Sequence, residues 1–359
     1  MKKIRVSIYN VTPGMVAASD IYSPNGQLLV PKDMVFTSEL LERLGAYAIP
    51  FINIYEDENE ENPPLPADSS YSDRIKNSKE FQVFQEEFSH SLVSVNQNLQ
   101  HVVASSDDID VDALLHDTTR LLTNSNTTIG VLDLVNNLRS YDDSTYAHSL
   151  NVSIICRVFG QWLHLPKKDI DALTVAGSIH DLGKLLMPPE IIKKPDRLTD
   201  EEFRIIKTHP YKGYKHVENS NLDNRIKSAI LMHHEKCDGS GYPAGLTGPN
   251  ITPFAKIVAI ADVYDAMTAN RVYRAGMCPF HVIRMFENEG YLKYDVRYLL
   301  PFLEGIVQTY INNRVRLTDG SVGEIIFINK QALSRPIVKI KDRFVDLSTE
   351  KDLVIEEIL

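Results

Sequence analysis

A chain of 359 residues leaves room for two or three domains, and a hydrophobic content of 43% is enough for a large core. A formal net charge of −10 argues against indiscriminate binding to DNA or RNA, although a local basic patch can still hold a small anion. The three cysteines, Cys156, Cys237 and Cys278, stand far apart with no paired spacing, which argues against a disulfide framework. No apolar run approaches the ~18 residues of a membrane span. The basic start MKKIRVSIYN has no apolar stretch of signal-peptide length behind it, so a cytoplasmic protein with no membrane contact is expected.

Residues 1–55 read as a small α+β segment. KIRVSIY and PFINIY are rich in β-branched and aromatic residues, SPNGQLLV couples a turn to a short apolar run, and TSELLERLGA reads as one helix. The acidic, proline-rich stretch over 56–71 reads as a solvated linker. From 72 to 140 the apolar residues recur every three or four positions, which predicts a helical connector. Helices broken by Gly/Pro loops continue over 141–312. The last segment, 313–359, turns β-rich: RVRLTDGSVGEIIFIN predicts a hairpin turning at Asp319-Gly320, and RPIVKI and RFVDL are further strands.

Five of the eleven histidines have suggestive neighbours. His148 opens a stretch that reads as an amphipathic helix; His180 and Asp181 stand side by side in HDLGK, after the apolar run LTVAGSI. His209 precedes a proline, which biases its backbone away from the helical region. His233 and His234 close the helical stretch IKSAILMHH, and adjacent helical residues point ~100° apart, so both reach one ion only where the helix ends or bends. Asp262 and Asp265 lie three apart on one helical face of ADVYDAMT. Charge beside apolar surface is costly unless compensated, by a metal ion or by hydrogen bonds. Five imidazoles and two carboxylates, Asp181 and Asp262, suffice for two metal sites bridged by Asp181; this donor set suits iron, manganese or zinc without choosing between them. Taken singly, each residue also has a plain reading: a partly buried histidine, a solvated arginine, a lysine near a helix C-terminus. The remaining histidines, His90, His101, His116, His164, His216 and His281, read as surface or capping residues.

Taken in order, His148, HDLGK at 180–184, HP at 209–210, HHE at 233–235, DGSGYP at 238–243 and ADVYDAMTANRVYR at 261–274 resemble the HD-GYP domain of the HD superfamily of metal-dependent phosphohydrolases. The resemblance covers roughly 140–310. It implies a mainly α fold, an HD-superfamily helical bundle, here with small β-rich N- and C-terminal segments. It also implies a metal-dependent phosphodiesterase acting on a cyclic dinucleotide, cyclic di-GMP foremost, with linear pGpG or GMP as product. Metal ligands would be His148, His180, Asp181, His209, His233, His234 and Asp262. Lys184, Arg271 and Arg274 would hold phosphate, with Lys184 and Asp181 taking part in catalysis, Tyr242 and Pro243 bordering the substrate and Asp265 orienting a ligand histidine. Two divalent ions are expected, iron or manganese ahead of zinc, magnesium or nickel. Members with three metals carry a Glu four residues before the first His; Ser144 stands there instead, so the residue for a third is missing. Arg274 replaces a lysine common in the family, which exchanges a point charge for a planar fork.

The chemistry implied is in-line attack of metal-activated water on phosphorus, with the ribose 3′-oxygen departing. Two other functions fit the same residues: a weak or inactive domain that binds the dinucleotide or a partner protein, and a hydrolase of a mixed cyclic dinucleotide. The connector offers apolar stripes for a homodimer or for a signalling partner. The lysines and arginines Lys193, Lys194, Arg197, Arg204, Lys207, Lys212 and Lys215 read as a solvated face.

Overall fold

The structure, a computed structural model, describes residues 3–7, 11, 13–22, 28–37, 40–41, 44, 51–55, 75, 78–104, 109–123, 130–132, 134–135, 145–192, 194, 197–269 and 276–359. The expected linker at 56–71, Ser144, Lys193, Arg271 and Arg274 lie outside the described residues, as does most of the helix expected over TSELLERLGA. Among the described residues helices predominate, with small sheets towards both ends of the chain.

Strands β1 (Lys3–Ser7), β2 (Ile21–Tyr22), β3 (Leu28–Val30) and β4 (Phe51–Tyr55) form two antiparallel pairs, β1 with β4 and β2 with β3. They enclose a small core of their own, with Ile21, Val30, Phe36, Ile52 and Ile54 buried together.

Helices α1 (Lys79–Ala104) and α2 (Val111–Thr123) are opened by side-chain caps: Ser78 Oγ accepts from the Phe81 N–H at 3.1 Å, and Asp110 Oδ1 from the Ala113 N–H at 2.9 Å. Along α1, Phe81, Phe84, Phe88, Val95, Leu99 and Val102 form one buried stripe. That stripe belongs to the same apolar core as the helices C-terminal to it. Polar ties reinforce the junction: Thr118 and Ser153 hydroxyls meet at 2.8 Å, Gln100 Nε2 donates to Tyr146 Oη at 2.8 Å, and His216 Nε2 donates to the Val102 carbonyl at 2.7 Å. His216 is therefore a partly buried tie between helices.

The next helix, α3 (Thr145–Trp162), differs from the amphipathic helix expected. Every residue from Ala147 to Cys156 is buried, because α3 runs through the middle of the bundle with neighbours on all sides. Helix α4 (Lys167–Ile179) packs along it and leads into a 3-10 turn, Leu182–Leu186. Two short helices, Pro189–Ile192 and Asp200–Ile206, carry the chain to α5 (His209–Val217). His209 is the first residue of α5, not an extended residue. Pro210 fits the first helical turn, where its missing N–H would have had no intrahelical partner. Helices α6 (Asn224–Met232), α7 (Pro253–Thr268) and α8 (Val296–Gln308) complete the bundle; α6 and α8 are capped by Asp223 and Asp295. In the C-terminal segment, β5 (Arg314–Leu317), β6 (Val322–Phe327), β7 (Ile337–Ile340), β8 (Arg343–Asp346) and β9 (Ile355–Ile358) form an antiparallel sheet of order β8-β7-β6-β5-β9. The β5–β6 hairpin turns at Asp319 and Gly320, whose φ of 82° is one that glycine adopts freely. Strand β9 has no counterpart among the strands expected from the sequence.

One close approach fixes the 3-10 turn and its neighbouring His180-Asp181 pair against α5. A Cβ on Gly183 would lie 1.9 Å from the His209 carbonyl oxygen, so the turn lies backbone to backbone against the start of that helix. We expect Gly183→Ala to force these segments apart and to cost about 1–3 kcal/mol, as overpacking does. Urea unfolding of the two proteins checks this, and an unchanged midpoint would show that the contact does not matter.

Candidate metal centre

The candidate histidine ligands come from helix ends. His148 stands in the first turn of α3, His180 caps the C-terminus of α4, and His209 opens α5. His233 caps α6 at its C-terminus, and the chain leaves the helix there, so His234 can turn to the same side. Asp262 and Asp265 share a face of α7. His180, Asp181, His209 and His233 are essentially inaccessible to solvent, and His148, Asp262 and Asp265 are also buried.

Hydrogen bonding assigns the tautomers. Nδ1 of His180 donates to the Gly177 carbonyl at 2.8 Å, Nδ1 of His209 to the Ile206 carbonyl at 2.8 Å, and Nδ1 of His233 to the Ile230 carbonyl at 2.9 Å. Nδ1 of His148 lies 2.7 Å from Asp265 Oδ2, which accepts its proton. A carbonyl can only accept, so in the neutral rings of His180, His209 and His233 the proton sits on Nδ1 and Nε2 presents a lone pair, whereas His148 faces carboxylates on both nitrogens, Asp265 at Nδ1 and Asp262 at Nε2. Those lone pairs converge. Nε2 of His209 and Nε2 of His233 face one another at 3.3 Å. Asp181 stands in the middle: its Oδ1 lies 3.1 Å from His209 Nε2 and 3.6 Å from His233 Nε2, its Oδ2 3.4 Å from His180 Nε2 and 3.6 Å from His148 Nε2. Asp262 Oδ1 is 3.1 Å from His148 Nε2, and its Oδ2 is 3.7 Å from His234 Nδ1.

Two sets of donor atoms emerge, each within 4.8 Å of one another: Asp181, His209, His233 and His234, and His148, His180 and Asp262. His180 Nε2 and Asp181 Oδ1 are buried with no hydrogen-bond partner. Opposed lone pairs and orphaned acceptors in a dry interior are unfavourable unless a cation sits among them. The imidazole and carboxylate donors therefore fit divalent metal binding, and the contacts of the outer Nδ1 atoms are those that hold ligand rings in place.

The electrostatics agree. Burial raises the Asp181 carboxyl, yet Lys184 and His180 outweigh it and hold it well below the usual carboxylate range. Asp262 is likewise held well below, burial being outweighed by the His148 hydrogen bond and the His234 charge. His233 is pushed down to about 4 by burial, with the His180 and His209 charges adding to the effect, and His234 falls well below its ordinary value for the same kind of reason. His148 moves the other way, to about 9: burial lowers it, but the hydrogen bonds to Asp262 and Asp265 win.

Around the cluster, Lys184 Nζ donates to Asp181 Oδ2 at 2.5 Å. The Tyr242 ring lies 4.6 Å from that of His234, and the Tyr242-Pro243 peptide bond is cis. Arg271 and Arg274 lie outside the described residues. Glu235 has no role in the sequence reading, although it directly follows the paired histidines. It is buried, and its carboxylate accepts from the Ala244 N–H at 2.7 Å and the Leu246 N–H at 2.8 Å, which ties the loop carrying Tyr242 to the end of α6.

A family model described as HD domain matches residues 113–297, so it begins inside the segment read as connector. The chain is 34% identical to a cyclic di-GMP phosphodiesterase of Pseudomonas aeruginosa over 56% of its own length and 49% of the relative's. It is 30% identical to the cyclic di-GMP phosphodiesterase PdeB of Borreliella burgdorferi, over 53% of this chain and 50% of that one. It is also 35% identical to a 3′3′-cGAMP-specific phosphodiesterase of Vibrio cholerae, over 40% and 34%. The chain thus spans about half the length, or less, of these curated relatives.

The shifted histidines set an acid sensitivity. Between the ordinary histidine pKa of 6.5 and the His233 value of about 4, the unfolded chain binds protons that the folded one refuses, so stability falls as pH falls. His148, raised above 6.5, is protonated in both states across this window and does not oppose the trend. We expect metal-stripped protein to be less stable at pH 5 than at pH 6.5. Denaturant unfolding at the two pH values checks this, and equal midpoints would refute the buried neutral His233.

Proposed function

The chain belongs to the HD-domain family, and from that premise we propose that it is a metal-dependent phosphodiesterase that opens a cyclic dinucleotide, cyclic di-GMP foremost, to linear pGpG, GMP or both. The observation that supports this most is the convergence of seven imidazole and carboxylate groups with Asp181 among them. In this reading His148, His180 and Asp262 would hold one divalent ion, and His209, His233 and His234 a second, with Asp181 reaching both. Iron or manganese is favoured over zinc, magnesium or nickel. Such ions bring the pKa of a coordinated water to about 7 and neutralise charge on a phosphoryl group.

The chain's own groups then have distinct tasks. Lys184 keeps one N–H on Asp181, and its remaining N–H groups are available to a non-bridging phosphate oxygen. Asp265 holds the His148 proton on Nδ1 and so keeps Nε2 a donor. Tyr242 offers an aromatic face beside His234 against which a base can stack, with Pro243 setting the loop's course. Arg271 and Arg274, outside the described residues, belong to the proposal as phosphate ligands. Water would add to phosphorus and give up one proton, the bond from phosphorus to the ribose 3′-oxygen would break, and that oxygen would take a proton from Lys184, which the proton given up by the water would restore. The similarity to a 3′3′-cGAMP-specific enzyme favours, as a second reading, the same chemistry on a mixed cyclic dinucleotide. A homodimer or a signalling partner on the exposed side of α1, where Val83 and Val93 face outward, completes the proposal.

We expect anaerobically purified protein to carry divalent metal, and iron- or manganese-loaded protein to turn over cyclic di-GMP or 3′3′-cGAMP. His180→Ala and Asp181→Ala should lose metal together with at least ~100-fold of activity. Metal analysis beside a product assay decides the matter. Tight binding of a dinucleotide with no turnover would make the protein a receptor, and a fully active His180→Ala would refute the centre.

A further inference from the structure

Lys236 lies two residues after the paired histidines and has an uncommon setting. Most other half-buried or buried lysines near the bundle have carboxylate or carbonyl partners, Lys194 with Glu202, Lys256 with Asp295, Lys184 with Asp181, Lys293 with Glu289 and Lys227 with the carbonyls of Glu218 and Ser220, while Lys207 lies over the Phe203 and Tyr242 rings. Lys236 has no carboxylate partner among the described residues. Its Nζ donates to Tyr294 Oη at 2.8 Å and lies 4.3 Å from the centroid of the same ring. Tyr294 is 9% exposed and wedged edge-on against Phe286, their ring centroids 5.3 Å apart.

The pair is held rigidly. The Cys237 N–H donates to the Lys293 carbonyl at 2.8 Å, so the backbone carrying Lys236 is tied to the residue before Tyr294. The Gly239 N–H donates to the Lys236 carbonyl at 2.9 Å. A Cβ on Gly241 would lie 2.4 Å from the Lys236 nitrogen, so the loop that carries Tyr242 is pressed against this same point. The pair adjoins the cluster along the chain, Lys236 standing two residues after His234, and the negative charge of Asp262 bears on both groups. The other charges that bear on Lys236 are Lys293, which opposes it, and Asp238.

An ammonium has three N–H donors and a phenol one O–H. With one N–H spent on the phenolic oxygen, two N–H groups and the Tyr294 proton are left without a protein acceptor among the described residues. A cyclic dinucleotide carries two phosphodiesters, of which one is cut at a time. We propose that Lys236 and Tyr294 form the binding point for the second phosphate, the one that is not being cut, and act as positioning residues that set the ring on the metal centre. This rests on the proposed phosphodiesterase reading.

Full-length Lys236→Met, Lys236→Arg and Tyr294→Phe, with metal content measured, provide the test. For Lys236→Met we expect unaltered metal content and a KM for cyclic di-GMP raised about tenfold or more, the loss typical of a charged hydrogen bond. Its kcat should fall by no more than about threefold. Binding of an uncleaved phosphorothioate analogue should weaken by the same factor as KM, Lys236→Arg should recover most of the loss, and Tyr294→Phe should show a smaller rise in KM. Bis(p-nitrophenyl) phosphate has a single phosphate, and its KM should respond several-fold less. Unchanged KM and binding, an equal loss on both substrates, or loss of metal would overturn the assignment while leaving the phosphodiesterase intact. Wild-type protein that cleaves the small diester but neither binds nor cleaves any cyclic dinucleotide would overturn both.

Discussion

The structure depends on one buried carboxylate that is shared. Asp181 is almost fully enclosed, yet four imidazole Nε2 atoms approach its two oxygens at 3.1–3.6 Å. All four rings have their Nδ1 proton committed elsewhere, three to main-chain carbonyls and one to Asp265. The inward nitrogens of His180, His209 and His233 are left as lone pairs around an anion, while His148 Nε2 also meets a second carboxylate, Asp262, at 3.1 Å. Such a cluster is unfavourable in a dry interior, and a cation is what relieves it.

Much of the fold can be understood as the delivery of ligands from helix ends to that point. Main-chain carbonyls near a helix C-terminus have no intrahelical partner, and the carbonyls of Gly177 and Ile230 accept the Nδ1 protons of His180 and His233. Main-chain ends thus orient ligand rings with no extra side chain required. Helix α3 lies at the centre because it carries His148, and its burial on every side leaves Asp265 and Asp262 of α7 as the groups that answer the ring's two nitrogens. Around this centre, Glu235 plays a comparable part for the loop, spending both carboxylate oxygens on main-chain N–H groups.

The connector is more closely joined to the centre than its place in the chain suggests. Helix α1 meets Tyr146, two residues before His148, through Gln100, and meets α5 through the bond from His216 to the Val102 carbonyl. Its apolar stripe is already spent on the bundle's core, unlike the N-terminal strands, which keep a core of their own. A change in α1 therefore has direct mechanical contact with two elements that carry candidate ligands.

The one-dimensional pattern was enough for the mainly α fold, the helical period along α1 and α2, the hairpin at Asp319 and Gly320, and a candidate ligand set, because periodicity, turn chemistry and motif order are all local properties. It misjudged α3 as amphipathic and His209 as extended, since burial on all sides and a proline in a first helical turn depend on neighbours that local spacing does not reveal. Glu235, Lys236 and Tyr294 were silent for the same reason: Lys236 and Tyr294 are 58 positions apart and meet only when the loop folds back. Which oxygen of Asp181 faces which histidine, which ring nitrogen keeps its proton, and which lysine meets a phenol in place of a carboxylate were decided by tertiary structure alone. Those properties arise from directions and distances between side chains, and a sequence specifies them only through the packing of the entire chain.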